Sequence, residues 1–237
     1  MLAGGLLADL KAVVFDFGMV LSGPADVDAH RTLKRIVGVP EATFESQYWA
    51  HRHAYDAGSC DGPEYWQRLA RGAGVTLSNA QIIELVNNDV KMWSTLDVPM
   101  VQWALKVKAS GFTTGILSNI CFELSAAFEE QCMWLNQIDY RFWSSRLGVA
   151  KPDPAIYEHM LCTLGIRPEQ ILFIDDREDN IRAAQALGVM GILFSDATAL
   201  DKQLGELRLR EKLPRLSTSE IAKTPIAFSE CSVFLRT

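Results

Sequence analysis

Two sets of carboxylates, far apart in the chain, stand where short apolar runs end. Asp16 follows the run in Val13-Val14-Phe15-Asp16-Phe17-Gly18, and a pair closes Ile171-Leu172-Phe173-Ile174-Asp175-Asp176. Each run reads as a strand buried on both faces. In an open parallel sheet, ligands bind beyond the carboxyl ends of the strands, so these acids can meet in one crevice. Three carboxylates brought together repel one another unless a hard cation joins them. Mg2+ is the natural choice, because it takes oxygen ligands, keeps several waters and is commonly held together with substrate phosphate.

Two more polar signals lie between these sets. Ser118-Asn119 follows Thr114-Gly115-Ile116-Leu117, and Lys151 stands in Ala150-Lys151-Pro152-Asp153-Pro154. A hydroxyl and backbone N–H groups at a strand-to-helix turn suit a phosphate oxygen. A fixed ammonium at Lys151 would offset the combined charge of phosphate and nucleophile. Asp16 can serve as metal ligand, nucleophile or both, and carboxylate attack on phosphorus gives an aspartyl phosphate. Asp179 and Asn180 follow the acid pair and suit Mg2+ with its ordered waters. Taken singly, each signal has a plainer reading as a cap, a turn residue or a surface lysine. Their order along the chain and their places at strand ends argue for one site.

The elements that must position these groups alternate strand and helix. Strands are expected at residues 112–117, 140–144, 171–174 and 189–194, and helices at 123–132, 154–164 and 179–187. Such repetition implies a parallel sheet with helical crossovers. Residues 26–97 break the pattern: no strand is evident, and helical stretches cover 29–37, 41–55, 62–71 and 78–93. This reads as a helical insertion over the sheet, with 98–109 the helix that returns to it. The expected division is therefore a catalytic core of residues 1–25 and 98–200, a helical cap of 26–97, and a C-terminal extension of 201–237. Within the extension, residues 199–212 read as a helix and Val233, Phe234 and Leu235 as an apolar segment.

Composition narrows the function classes. The chain has 237 residues, 49% hydrophobic and 22% charged, with a formal net charge of -6. That is ordinary globular composition with enough length for a good core. An acidic balance without a long basic run argues against nucleic acid and anionic membrane surfaces as partners. The five cysteines have no CxxC spacing, which argues against a structural zinc site or a disulfide framework and fits a reducing cytoplasm. Residues 1–10 lack a basic n-region and are not read as a signal peptide. Oligomeric state is not legible.

The order Asp16, Ser118, Lys151, Asp175-Asp176 resembles the motif series of the haloacid dehalogenase superfamily. The strings Lys-Pro-Asp-Pro-x-Ile-Tyr from Lys151 and Asp-Asp-x-x-x-Asn-Ile-x-x-Ala from Asp175 are its most specific parts. The likeness covers residues 11–194 and is nearest to sugar-phosphate phosphatases and the phosphatase domain of soluble epoxide hydrolases. It implies an α/β fold, with a Rossmann-like parallel-sheet core and an inserted all-helical C1 cap. It implies that Asp16 is nucleophile and Mg2+ ligand and that the Gly18 carbonyl and Asp176 are further ligands. Asp175 would act directly or through water. Ser118 and Asn119 would hold the phosphoryl group of a small phosphorylated metabolite, oriented by Lys151.

One position departs from that pattern. Phosphatases of the superfamily usually carry a second Asp where this chain has Gly18, and that Asp is the general acid for the leaving oxygen. The backbone carbonyl survives the change, but the proton donor does not; Asp26, Asp28, His30 or a water are possible replacements. Haloacid dehalogenases also lack that Asp, so a metal-independent 2-haloacid dehalogenase is an alternative, as is a phosphate-ester binder without turnover. The acid pair favours the Mg2+ phosphatase. In the insertion, Trp49, His51, His53 and Tyr55 are expected to contact substrate.

Overall fold

A computed structural model describes residues 9–216 and, as backbone, 226–227. Its centre is strand β1 (Ala12–Phe15), which pairs in parallel with β3 (Thr113–Ser118) on one side and β5 (Ile171–Asp175) on the other. Strands β4 (Tyr140–Trp143) and β6 (Met190–Leu193) complete a parallel five-stranded sheet in the order β4-β3-β1-β5-β6. Period-two alternation splits each central strand between two cores. Val13, Phe15, Leu172 and Ile174 enter the larger apolar cluster, while Ala12, Val14, Ile171 and Phe173 enter the smaller one on the opposite face. The sheet is therefore covered on both sides, which is why its strands lack polar alternation.

Residues 26–97 hold five helices: α1 (Val27–Val37), α2 (Glu41–Ala50), α3 (Arg52–Asp56), α4 (Gly62–Ala73) and α5 (Asn79–Met92). Their starts follow capping chemistry. Asp26 caps α1 through Ala29 N–H, Asp61 caps α4 through Glu64 N–H, and Ser78 with Gln81 forms a capping box on α5. The single helix expected over 41–55 is two, because the chain breaks at His51. The expectation of no strand in 26–97 is also corrected. β2 (Thr95–Leu96) pairs antiparallel with β7 (Ile226–Ala227), and so short a strand exists only through its distant partner.

Helix α6 (Val98–Ala109) leads into β3, and α7 (Phe122–Gln131), α8 (Ser144–Leu147), α9 (Pro154–Leu164) and α10 (Glu178–Ala186) follow β3, β4 and β5. Helix α11 (Ala197–Glu206) ends earlier than residues 199–212 suggest. Beyond it Leu209, Leu213 and Leu216 are buried in the larger core, and the Trp103 indole donates to the Pro214 carbonyl at 2.9 Å. The apolar segment at Val233, Phe234 and Leu235 lies outside the described residues. Among the described residues no helix is long and apolar enough to cross a membrane.

Candidate functional site

The site begins where β1 stops. Asp16 N–H donates to the Ile174 carbonyl at 2.8 Å, one step past the ladder, and this fixes Asp16 beside the end of β5. Asp16, Asp175 and Asp176 then converge, each offering an oxygen within 4.8 Å of the others. Lys151 lies between two of them. Its Nζ is 2.8 Å from Asp16 Oδ1 and 2.6 Å from Asp175 Oδ2, and all three side chains are almost wholly buried.

The loop that carries Lys151 is held by Asn119. Lys151 N–H donates to Asn119 Oδ1 at 2.7 Å, and Asn119 Nδ2 donates back to the Lys151 carbonyl at 2.8 Å. The Lys151–Pro152 peptide is cis. Below the ammonium lies the Phe173 ring, 5.4 Å from Nζ to its centroid. Asp175 is engaged at both oxygens, by Lys151, by Asn180 Nδ2 at 2.9 and 3.1 Å, and by Arg177 N–H at 2.8 Å. Asp16 Oδ1 accepts from Phe17 N–H as well as Lys151, and Oδ2 faces position 18, where an added Cβ would lie 3.9 Å away. Ser118 is buried at the tip of β3, its hydroxyl making only a long 3.5 Å contact to the Asn119 carbonyl among its described bonds.

Electrostatics follows from crowding. Burial pushes the Asp16 carboxyl up to about 7; Lys151 opposes the shift, and Asp175 and Asp176 add to it. Asp176 is raised by burial and by Asp175. Burial alone would lower the Lys151 ammonium, but Asp16 and Asp175 outweigh it and hold the group charged. With three carboxylates and one ammonium, the ionised cluster carries two excess negative charges. Its oxygen donors and that charge fit a hard divalent cation such as Mg2+.

Beside the cluster is a cavity of about 140 Å³. Phe17, Gly18, Ser118, Asn119 and Ile120 form its sheet side, and Trp49, Arg52, Asp56 and Trp93 form the side of the inserted helices. Of the residues expected from the insertion, only Trp49, 55% exposed, lines it. Tyr55 is fully buried, stacked on Tyr65, with its hydroxyl donating to Glu123 at 3.0 Å. His51 sits at the break between α2 and α3 and His53 is exposed; neither lines the cavity. The break turns the α3 face, so Arg52 and Asp56, one helical turn apart, look inward instead. An Arg-x-x-x-Asp pair amid aromatic residues was the available signal for them.

Residues 10–188, more than half of the chain, match the haloacid dehalogenase-like hydrolase family. Pig bifunctional epoxide hydrolase 2 is 26% identical over 96% of this chain and 44% of its own length, so this chain spans less than half of that relative. A sesquiterpene phosphatase from Aspergillus oryzae is 25% identical over 83% of this chain and 96% of its own. A solved HAD family enzyme from Bacteroides thetaiotaomicron, in complex with magnesium and inorganic phosphate, shares the fold at a TM-score of 0.66, 19% identity, and 81% and 98% coverage of the two chains. The buried acids at the ends of β1 and β5, the parallel sheet that carries them and the family match agree: the chain belongs to the haloacid dehalogenase-like hydrolases.

Proposed function

We propose that the protein hydrolyses a small phosphomonoester through an aspartyl phosphate on Asp16, with Mg2+ as cofactor. The observation that carries this reading is the convergence of Asp16, Asp175 and Asp176 around Lys151. Asp16, Asp176 and the Gly18 carbonyl would hold the Mg2+, which when bound supplies charge to offset the phosphoryl oxygens. Asp175, its oxygens already engaged, keeps Lys151 and the end of β5 in place.

The chain's own groups do the rest. Asp16 Oδ2 is the attacking oxygen, and Oδ1 is held by Phe17 N–H and Lys151. Ser118 Oγ holds a phosphoryl oxygen. Lys151 orients the nucleophile and offsets charge that grows on the phosphoryl group. Asn119 contributes by fixing Lys151, since both ends of its amide are engaged there. Helices α1 to α5 serve as a cap that shields the cavity from water, and residues 26–97 are the cap's span. The five cysteines, with no CxxC spacing, support a cytoplasmic setting.

The cluster's two excess negative charges call for a hard cation, and halide displacement at carbon, which develops no phosphoryl charge, has no need of one; this supports phosphoryl transfer over dehalogenation. The test is release of p-nitrophenol from its phosphate, with Mg2+ or with chelator, in the wild type and in Asp16→Asn. Turnover lost on chelation and in the variant supports the reading. Halide release from a 2-haloacid that survives chelation overturns it, and tight phosphate-ester binding without turnover points to a binder.

A further inference from the structure

Displacement of an alkoxide from phosphorus requires a proton, and the groups nearest the nucleophile in sequence supply none. Gly18 has no side chain, although the space beside it is open. Asp26 is committed to capping α1 through Ala29 N–H at 2.8 Å. Asp28 pairs with Arg31 at the exposed surface, and His30 pairs with Glu45 at 2.9 Å. Across the cavity from Gly18 and Ser118, Asp56 is the one carboxylic acid among the described lining residues.

We infer that Asp56, carried by the inserted helices, is the general acid of this site. The inference rests on the phosphomonoesterase reading above.

Two features place Asp56 for that work. Its backbone is tied to the phosphate side of the cavity: Ser144 Oγ donates to the Asp56 carbonyl and accepts from Ile120 N–H at 2.8 Å, directly after Ser118-Asn119. Two residues on, Gly58 has φ +72 and packs on the Ser145 backbone so closely that a Cβ would lie 2.3 Å from the Ser145 carbonyl oxygen. The α3 end is thus pinned against the sheet rather than swinging free.

The second feature is charge. Arg52 donates from Nε to both oxygens of Asp56, at 3.0 and 3.1 Å, and from Nη1 to both oxygens of Asp89, each at 3.0 Å. Two carboxylates share one buried guanidinium, so the ionised cluster holds one excess negative charge that a proton neutralises. Asp89 also accepts from the Tyr48 hydroxyl at 2.6 Å and is buried away from the cavity. Among the described residues Asp56 is bonded through its side chain by Arg52 Nε alone, and it faces the cavity. The other titratable groups around it are His53 on its own helix, Tyr65 on α4 and Cys121 ahead of α7. Burial raises the Asp56 carboxyl above its ordinary range, against the pull of Arg52 and with the push of Asp89.

The step balances. Asp16 Oδ2 bonds to phosphorus as the bond to the leaving oxygen breaks. The freed electron pair takes the Asp56 proton, and the alcohol departs. The resulting Asp56 carboxylate is held by Arg52. It then takes a proton from the water that attacks phosphorus, the bond between phosphorus and Asp16 breaks, and phosphate and the protonated Asp56 are restored.

The experiment compares an alkyl phosphate such as glycerol 2-phosphate with p-nitrophenyl phosphate, whose leaving group needs little protonation. In Asp56→Asn the ratio of alkyl to p-nitrophenyl kcat is expected to fall by about 10²-fold or more. Adding Gly18→Asp to that variant is expected to raise the ratio again. An unchanged ratio, whatever the absolute loss, overturns the inference and leaves Asp56 a packing residue. If Asp56→Asn does not fold, the wild-type pH profiles decide: the alkaline limb for the alkyl ester is expected to fall first, and coincident limbs overturn the inference. A wild type inert toward both esters instead sinks the phosphomonoesterase reading.

Discussion

Asn119 and Lys151 hold each other by reciprocal hydrogen bonds of 2.7 and 2.8 Å, amide side chain to backbone in both directions. The two residues sit on different crossovers of the sheet, 32 positions apart. This clamp sets where the ammonium enters the acid cluster. Asn119→Ala strands a backbone N–H and C=O and is expected to cost about 1–3 kcal/mol of stability. Displacing Lys151 by an ångström is expected to lower kcat by about 10²-fold, with KM moving much less. Thermal melts and steady-state kinetics check both; a kcat near wild type would show that the clamp does not position the lysine.

Lys151→Met removes the only ammonium in direct contact with Asp16 and Asp175 among the described residues. Breaking such a buried arrangement on one side is expected to cost about 3–5 kcal/mol. The loss should depend on pH. Without Lys151 the Asp16 carboxyl, already raised by burial, rises further, and an acid raised in the folded state contributes stability at low pH that is lost as pH rises through its folded value. The variant is therefore expected to melt closer to wild type near pH 5 than at pH 8. A pH-independent gap would contradict this.

The same sign argument applies to the wild type and Mg2+. Asp16 is pushed from 3.8 to about 7 in the metal-free fold, so that stability contribution is lost as pH rises through about 7. Mg2+ competes with the proton. At a fixed concentration about one hundred times its dissociation constant at pH 8, it is expected to raise Tm by about 5–10 °C at pH 8, and by less at pH 6, where the proton weakens its binding. Asp16→Asn should abolish most of the shift. An equal shift at both pH values, or one retained in the variant, would place the ion elsewhere.

Gly58 and Gly74 both have left-handed backbones, with φ of +72 and +71, but a Cβ on Gly74 meets nothing within 4 Å while one on Gly58 runs into Ser145. Gly74→Ala is expected to cost about 1–2 kcal/mol, the backbone penalty alone. Gly58→Ala should cost more and also lower turnover, because it pushes α3 from the sheet. Equal melting losses would show that the seam yields without strain.

Much of this was legible from apolar runs and from what ends them. β1 and β5 are continuous hydrophobic stretches because both faces of the sheet are covered, and the strand tips deliver Asp16, Asp175 and Asp176 to one place. What stayed hidden depends on contacts between distant segments. β2 exists through its pairing with β7, and the Asn119–Lys151 clamp joins two crossovers. The break at His51 has the largest consequence for the site. Read as one helix, residues 41–55 direct attention to Tyr55, whereas the broken chain buries Tyr55 against Tyr65 and turns Arg52 and Asp56 to the cavity.

The central claim is a covalent bond between phosphorus and Asp16. The direct measurement is mass spectrometry of the protein quenched in acid during turnover of p-nitrophenyl phosphate with Mg2+. A single phosphoryl group on the peptide containing Asp16, absent with chelator and in Asp16→Asn, is the expected result. Steady turnover with no phosphoryl group on that peptide, or undiminished turnover in Asp16→Asn, would contradict the account.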